Sequence, residues 1–125
     1  MTKLFSYKDL IYWQRSMDLV VAIYQLASHF PKTEIYGLAS QMKRSSISIP
    51  SNVAEGRRRS SRKEYRHFLN IAYASGAELE TQIEIVKRLP FGKTLNFKIA
   101  DSLLEEVMKM LNKTFSTLGS NNLTT

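Results

Sequence analysis

The segment Ser61 to Arg88 places Tyr65, Leu69, Ala72, Gly76, Leu79, Ile83 and Val86 at spacings of 4, 3, 4, 3, 4 and 3. Alternating steps of three and four align one face of an α-helix, whereas a strand would need steps of two. A seam this regular, kept up along a whole long helix, must be covered by neighbouring helices. The same logic extends to the rest of the chain. After Phe97, the residues Ala100, Leu104, Val107 and Leu111 repeat the seam, flanked by Ile99, Leu103 and Met110. Near the start, Ser6 and Asp9 form a potential capping box, followed by Leu10, Trp13, Met17, Val20, Tyr24 and Ala27 at steps of 3, 4, 3, 4 and 3. A second stripe, Tyr12, Leu19, Ile23 and Leu26, lies beside it, so this helix is apolar over a wider arc than one seam requires.

Three breaks separate the periodic segments: Phe30-Pro31-Lys32, Gly56 with the arginines after it, and Leu89-Pro90-Phe91-Gly92. Four helices are predicted, over about 7–29, 33–56, 61–89 and 94–118, in one domain spanning 1–118 with a polar, flexible tail at 119–125. The second is the least regular. Leu38, Met42, Ile49 and Val53 keep helical spacing, but Pro50 lies among Ser45, Ser46, Ser48 and Ser51 and is expected to bend the helix. Asn52 and the serines are expected to satisfy the backbone groups that Pro50 frees, and Gly56 to end the helix. Short connections between long amphipathic segments imply an all-α fold, an antiparallel up-down four-helix bundle.

With 125 residues, 43% hydrophobic and 23% charged, the chain has the size and balance of one folded soluble domain. It contains no cysteine, which excludes disulfide scaffolds, cysteine nucleophiles and thiolate-bound zinc or iron-sulfur clusters. Met1 to Asp9 lacks the apolar stretch of a signal peptide, and the longest apolar run, Leu19 to Tyr24, is too short to cross a bilayer. The expected compartment is the cytoplasm, without membrane association.

Catalytic signatures are few. The chain has two histidines, no glycine-rich phosphate loop and no nucleophile elbow, so no enzymatic activity and no cofactor are expected. Glu64 and His67 have the Glu-x-x-His spacing of di-iron bundles, but such sites need a second copy of the motif, which is missing. No metal site is expected. Glu78, Glu80 and Glu84 stand on the third helix; their spacing fits surface carboxylates paired with nearby Lys or Arg, such as Glu84 with Arg88, better than acid-base catalysis.

The net charge of +7 is concentrated. Between Gln41 and Arg66 lie Lys43, Arg44, Arg57, Arg58, Arg59, Arg62, Lys63 and Arg66, opposed by Glu55 and Glu64 alone. Arginine predominates, and its planar fork suits phosphate oxygens and stacks on bases. The cluster also spans a turn and the start of a helix, where free N–H groups favour anions. These eight residues are the candidate nucleic-acid contacts, through phosphates rather than base edges.

The stretch Ser48-Ile49-Pro50-Ser51-Asn52-Val53-Ala54-Glu55-Gly56 stands out within this frame. It is preceded by Gly37-Leu38 and Gln41, and followed by Arg59, Tyr65 and Phe68-Leu69-Asn70-Ile71-Ala72. Together with Trp13-Gln14, Phe30-Pro31 and Glu78-Leu79-Glu80, it resembles the bacterial four-helix bundle proteins encoded in intervening sequences of 23S rRNA genes, sometimes labelled S23 ribosomal proteins. The resemblance runs from about Phe5 to Leu111. It implies a homopentamer with a basic surface for nucleic acid. A relative of the family, the accessory protein of diversity-generating retroelements, binds a reverse transcriptase and RNA. A protein-interaction scaffold, such as a reverse transcriptase partner, is therefore the alternative expectation. Tyr7 and Tyr12 are expected at the surface, where assembly would use them, and Glu55 is free to pair with an arginine or a partner.

Overall fold

The structure is a computed structural model that describes residues 6–124, with side chains as far as Gly119. Four helices follow one another in the chain: α1 (Ile11–Ala27), α2 (Leu38–Arg57), α3 (Arg62–Arg88) and α4 (Lys98–Thr124). Each packs on its sequence neighbours, and α1 closes the bundle against α4. The described residues contain no strand. Leu19 and Ile23 of α1, Met42, Ile49 and Val53 of α2, Leu69, Leu79 and Ile83 of α3, and Leu104, Val107 and Leu111 of α4 form one continuous buried core.

The ends of the helices differ from the sequence expectation for local reasons. The Ser6–Asp9 capping box is present, but it caps a single 3-10 turn, Tyr7–Asp9. Leu10 is extended and packs inward, so α1 starts after it. Pro90–Thr94 likewise forms a 3-10 turn, with Gly92 so close to α3 that a Cβ there would collide with the Val86 carbonyl. Asn96 Oδ1 then accepts from the Lys98 amide at 2.9 Å and opens α4. That helix continues beyond Leu118, so the segment expected as a flexible tail is helical through Thr124; residue 125 lies outside the described residues.

The seam of α3 is buried as its spacing predicts, from Leu69 to Val86, with Tyr65 half-buried at its start. In α1 the phase is different. Tyr12, Ser16, Leu19, Ile23 and Leu26 face the core, while Met17 and Tyr24 of the expected seam are 41% and 43% exposed. Both stripes have helical period. The one that wins includes Ser16, whose hydroxyl donates to the Trp13 carbonyl at 2.8 Å and needs no further partner when buried. Tyr12, expected at the surface, is therefore inside.

Pro50 is buried within an unbroken α2. Its missing N–H frees the carbonyl of Ser46. Asn52 does not fill that vacancy, since its Nδ2 donates to the Ser48 carbonyl at 2.8 Å and to Ser48 Oγ at 3.0 Å. Ser48 Oγ in turn meets Ser75 Oγ of α3 at 2.7 Å. The polar motif thus ties α2 to α3.

Gly56 also serves that contact. It is the penultimate residue of α2, so the helix ends one residue beyond it, and it is buried without the left-handed backbone of a glycine cap. A Cβ at Gly56 would lie 2.7 Å from Phe68 Cβ and 3.2 Å from the Tyr65 carbonyl, atoms that cannot swing away. Alanine would gain about 1 kcal/mol in helix propensity, but the overlap with α3 outweighs it. Gly56→Ala is expected to destabilise the fold by about 1–2 kcal/mol in urea unfolding, while Ser51→Ala on the exposed side of α2 changes it by less than about 0.5 kcal/mol. An unchanged midpoint for Gly56→Ala would remove the close-contact account of this glycine.

Candidate nucleic-acid interface

The up-down path brings the end of α2, the start of α3 and the last turns of α4 to one end of the bundle. Arg57, Arg58, Arg59, Arg62, Lys63 and Arg66 gather there. Lys43 and Arg44 do not join them, because they precede Arg57 by nearly four helical turns, about 20 Å along α2. Lys43 instead lies over the Tyr24 ring at 4.8 Å, and Arg44 lines a shallow cleft with Ser45, Ser48, Ser75 and Glu78.

Four of the clustered guanidinium groups stand on aromatic rings. Arg57 lies 5.9 Å from the centroid of Tyr65, Arg58 5.6 Å from Tyr7, Arg59 4.8 Å from Phe68 and Arg66 3.8 Å from Phe115. Each such contact is worth about 0.5–1 kcal/mol at an exposed site and restrains the side chain over the ring. A ring beneath a cation leaves its charge in place, whereas a carboxylate cancels it. Two carboxylates, Glu55 and Glu64, stand within the cluster. Glu55 Oε2 holds Arg59 Nη2 at 2.6 Å, realising the arginine pairing open to this glutamate. Glu64 bonds the Ser61 hydroxyl, which in turn caps α3 by accepting from the Glu64 amide at 3.1 Å.

Arg66 turns from the cluster towards α4. Its Nε donates to the Phe115 carbonyl at 3.2 Å. The sequence offered no sign of this, since Phe115 lies off the α4 seam. It also offered no sign of the rings that carry the other arginines, because stacking partners follow from the α2–α3 turn and not from spacing along one helix.

Under Arg57 lies a buried polar contact. The hydroxyls of Tyr12 and Tyr65 hydrogen-bond to each other, joining α1 to α3. Burial, reinforced by the bond to Tyr65 and its partial charge, pushes the Tyr12 hydroxyl well above the ordinary tyrosine value, while Arg57 acts weakly in the opposite sense.

Of the three α3 carboxylates expected to pair with Lys or Arg, Glu84 does so, while Glu78 accepts from Gln82 Nε2 at 3.5 Å. Lys87 Nζ bridges Asp101 of α4 at 2.7 Å and Glu84 at 3.2 Å, and Arg88 holds the other Glu84 oxygen at 3.2 Å. The Lys87 ammonium, followed by Arg88, holds the Glu84 carboxyl below its usual range. Glu64 and His67 have no further ligands nearby. Among the described residues, no group of three or more His, Asp or Glu is placed to hold a metal ion. No helix among them is long and apolar enough to cross a membrane.

The family model of the 23S rRNA-intervening sequence protein matches residues 8–113. The chain belongs to this family. The match covers the core of the bundle and the whole arginine end, but stops short of Phe115 and Gly119, the α4 residues that receive Arg66. No curated protein matches in sequence. Among solved structures, the chain is similar to a protein of unknown function from the S23 ribosomal protein family of Bacteroides thetaiotaomicron. The two share 23% identity and a TM-score of 0.72 over 84% of this chain and 98% of that one, a likeness of fold.

The Tyr12–Tyr65 contact generates a pH dependence. The folded state holds the Tyr12 proton more tightly than the unfolded chain does. Its contribution is therefore complete below the ordinary tyrosine value of 10.0 and is lost as the pH climbs above it. In thermal melts from about pH 8 to about pH 11, Tyr12→Phe is expected to lower stability by about 1 kcal/mol at the lower end and to flatten the alkaline decline. A decline of unchanged steepness in the variant would rule out this tyrosine as its source.

Proposed function

We propose that the chain is a non-enzymatic, oligomeric nucleic-acid-binding protein of the cytoplasm, with RNA as its main ligand and phosphates as its main contacts. The observation that carries this reading is the arginine end of the bundle. Arg57, Arg58, Arg59, Arg62 and Lys63 cluster about one turn, and three of them lie over aromatic rings, which leave the cationic charge in place to attract phosphates. Lys43 and Arg44 supply a separate, flanking contact along α2.

Family resemblance adds a homopentamer to this reading. Repeating one cationic end around a ring turns modest single contacts into avidity, provided that the ligand spans more than one copy. The role of Glu55 is then to hold Arg59, and that of Pro50, Asn52 and Gly56 to set α2 against α3.

A second reading, a scaffold or accessory subunit such as a reverse transcriptase partner, draws on a different surface. Val21 of α1 and Ile99 of α4 are 56% and 67% exposed beside a groove of about 580 Å³ that Leu103 also lines. Exposed apolar groups facing one groove favour a protein contact. A protein recovered at fixed stoichiometry after nuclease treatment would favour this reading over the first.

The triple variant Arg57→Ala, Arg58→Ala, Arg59→Ala tests the first reading. It is expected to weaken RNA binding and to lower the slope of log affinity against log salt by about 2 to 3, the share of three phosphate contacts, with circular dichroism unchanged. Alanines at Lys32, Lys93 and Lys98, at the other end of the bundle, remove equal charge and are expected to leave most of that slope. Equal effects from the two triples would reduce the arginine end to general charge and overturn the assignment.

A further inference from the structure

The cleft between α3 and the last turns of α4 lies beside the phosphate contacts but has different chemistry. Lys63, Arg66, His67 and Asn70 follow one another at steps of 3, 1 and 3 along one face of α3, and Phe115 closes the cleft from α4, leaving a space of about 260 Å³. Three separate features hold the Arg66 side chain in it. The Phe115 ring lies 3.8 Å below the guanidinium, the Phe115 carbonyl accepts from Nε at 3.2 Å, and Gly119 leaves a notch where a Cβ would stand 2.9 Å from Nη2. An arginine bound on three sides cannot reach out to a phosphate without giving up all three contacts. It offers a fixed, charged plane instead.

Fixed guanidinium planes and aromatic rings are surfaces on which unpaired bases stack, and paired bases within a helix do not reach them. The other residues of the cleft complete such a site. Lys63 is exposed one turn before Arg66 and puts a cation at the edge of the cleft. Asn70 is exposed one turn after it, with an amide that both donates and accepts at a base edge. His67 lies between them, edge-on to Phe68 at 5.4 Å, and walls the cleft with its ring.

We propose that this cleft takes one unpaired nucleotide, its base stacked on the Arg66–Phe115 plane, its edge at Asn70 and its phosphate at Lys63. The inference rests on the polyanion-binding reading and narrows it to nucleic acid with unpaired bases, such as a loop or a single strand. Phosphates at Arg57, Arg58, Arg59 and Arg62 bring the strand to the end of the bundle, and the cleft selects for bases that have left the helix.

The test uses two RNA hairpins whose strands are joined by a short polyether linker in place of loop nucleotides, with the same number of phosphates, one fully paired and one with an internal loop, titrated against the full chain at matched salt. The wild type is expected to prefer the looped hairpin by about fivefold or more, the worth of one stacked base. Arg66→Lys keeps the charge and removes the plane, so the salt slope is expected to hold while the preference falls towards one. Asn70→Ala, an exposed change that leaves the Arg66 contacts with α4 intact, is expected to lower the preference in the same direction. Equal binding of the two hairpins by the wild type would overturn the cleft assignment and leave the phosphate contacts standing. So would a full preference retained in both variants. Binding of neither hairpin at low salt would overturn the polyanion reading itself, and the cleft with it.

Discussion

Gly56 lets the end of α2 rest directly on the Tyr65–Phe68 turn of α3, and the Ser48–Ser75 hydroxyl pair makes a second close contact about 12 Å further along α2. Two points of near-backbone contact fix both the separation and the crossing of a helix pair, and these two helices share the most extensive contact in the bundle. The arrangement of the arginines follows from it. With Gly56 seated between Tyr65 and Phe68, the residues that follow it at the end of α2 and in the turn overhang the same two rings, so Arg57 falls on Tyr65 and Arg59 on Phe68. A larger residue at position 56 would lift the whole arginine turn off its supports. The glycine that packs the core and the cations that face solvent are parts of one local geometry.

Much of this was legible in the sequence, and the remainder was hidden for definable reasons. The 4, 3 spacing of α3 identified its buried face residue by residue, because a single unambiguous seam leaves only one phase. In α1 two apolar stripes compete, and periodicity cannot rank them; Ser16, counted as polar, in fact lies on the buried face. Gly56 followed by a run of arginines has the pattern of a helix terminus, while its actual role depends on what α3 brings opposite it. Asn52 next to Pro50 invited a local repair of the helix, but its bonds run to Ser48 and, through that residue, to the neighbouring helix. In each case the missed element was tertiary: a partner from another helix decided the role of a residue whose local pattern permitted several.

The cationic cluster shows the same division. Sequence proximity grouped eight residues, and the fold keeps six of them together at one end, leaving Lys43 and Arg44 along the side of α2. Of the six, Arg59 is held by Glu55, and Arg66 by α4. Counting charge along a sequence thus overstates how many cations can face one ligand together, and the correction comes from which side chains the helix packing already uses.

The two ends of α3 make a comparison that bears on function. At its C-terminal end, Lys87 and Arg88 are set against Glu84 and Asp101, with nitrogen to oxygen distances of 2.7 to 3.2 Å, and Lys87 also lies 5.5 Å from the Phe97 ring centroid. At its N-terminal end the cations lie mainly over rings. Both arrangements hold long side chains in place, but they have opposite electrostatic consequences. Ion pairs between exposed groups cancel at distances beyond the pair, whereas a cation on a ring keeps its full charge and loses only conformational freedom. The bundle is therefore electrostatically lopsided by construction. Restraining these side chains in advance would also lower the entropy lost on binding an anion there, without the rings touching the ligand. A solvated face of lysines would carry the same formal charge and have neither property.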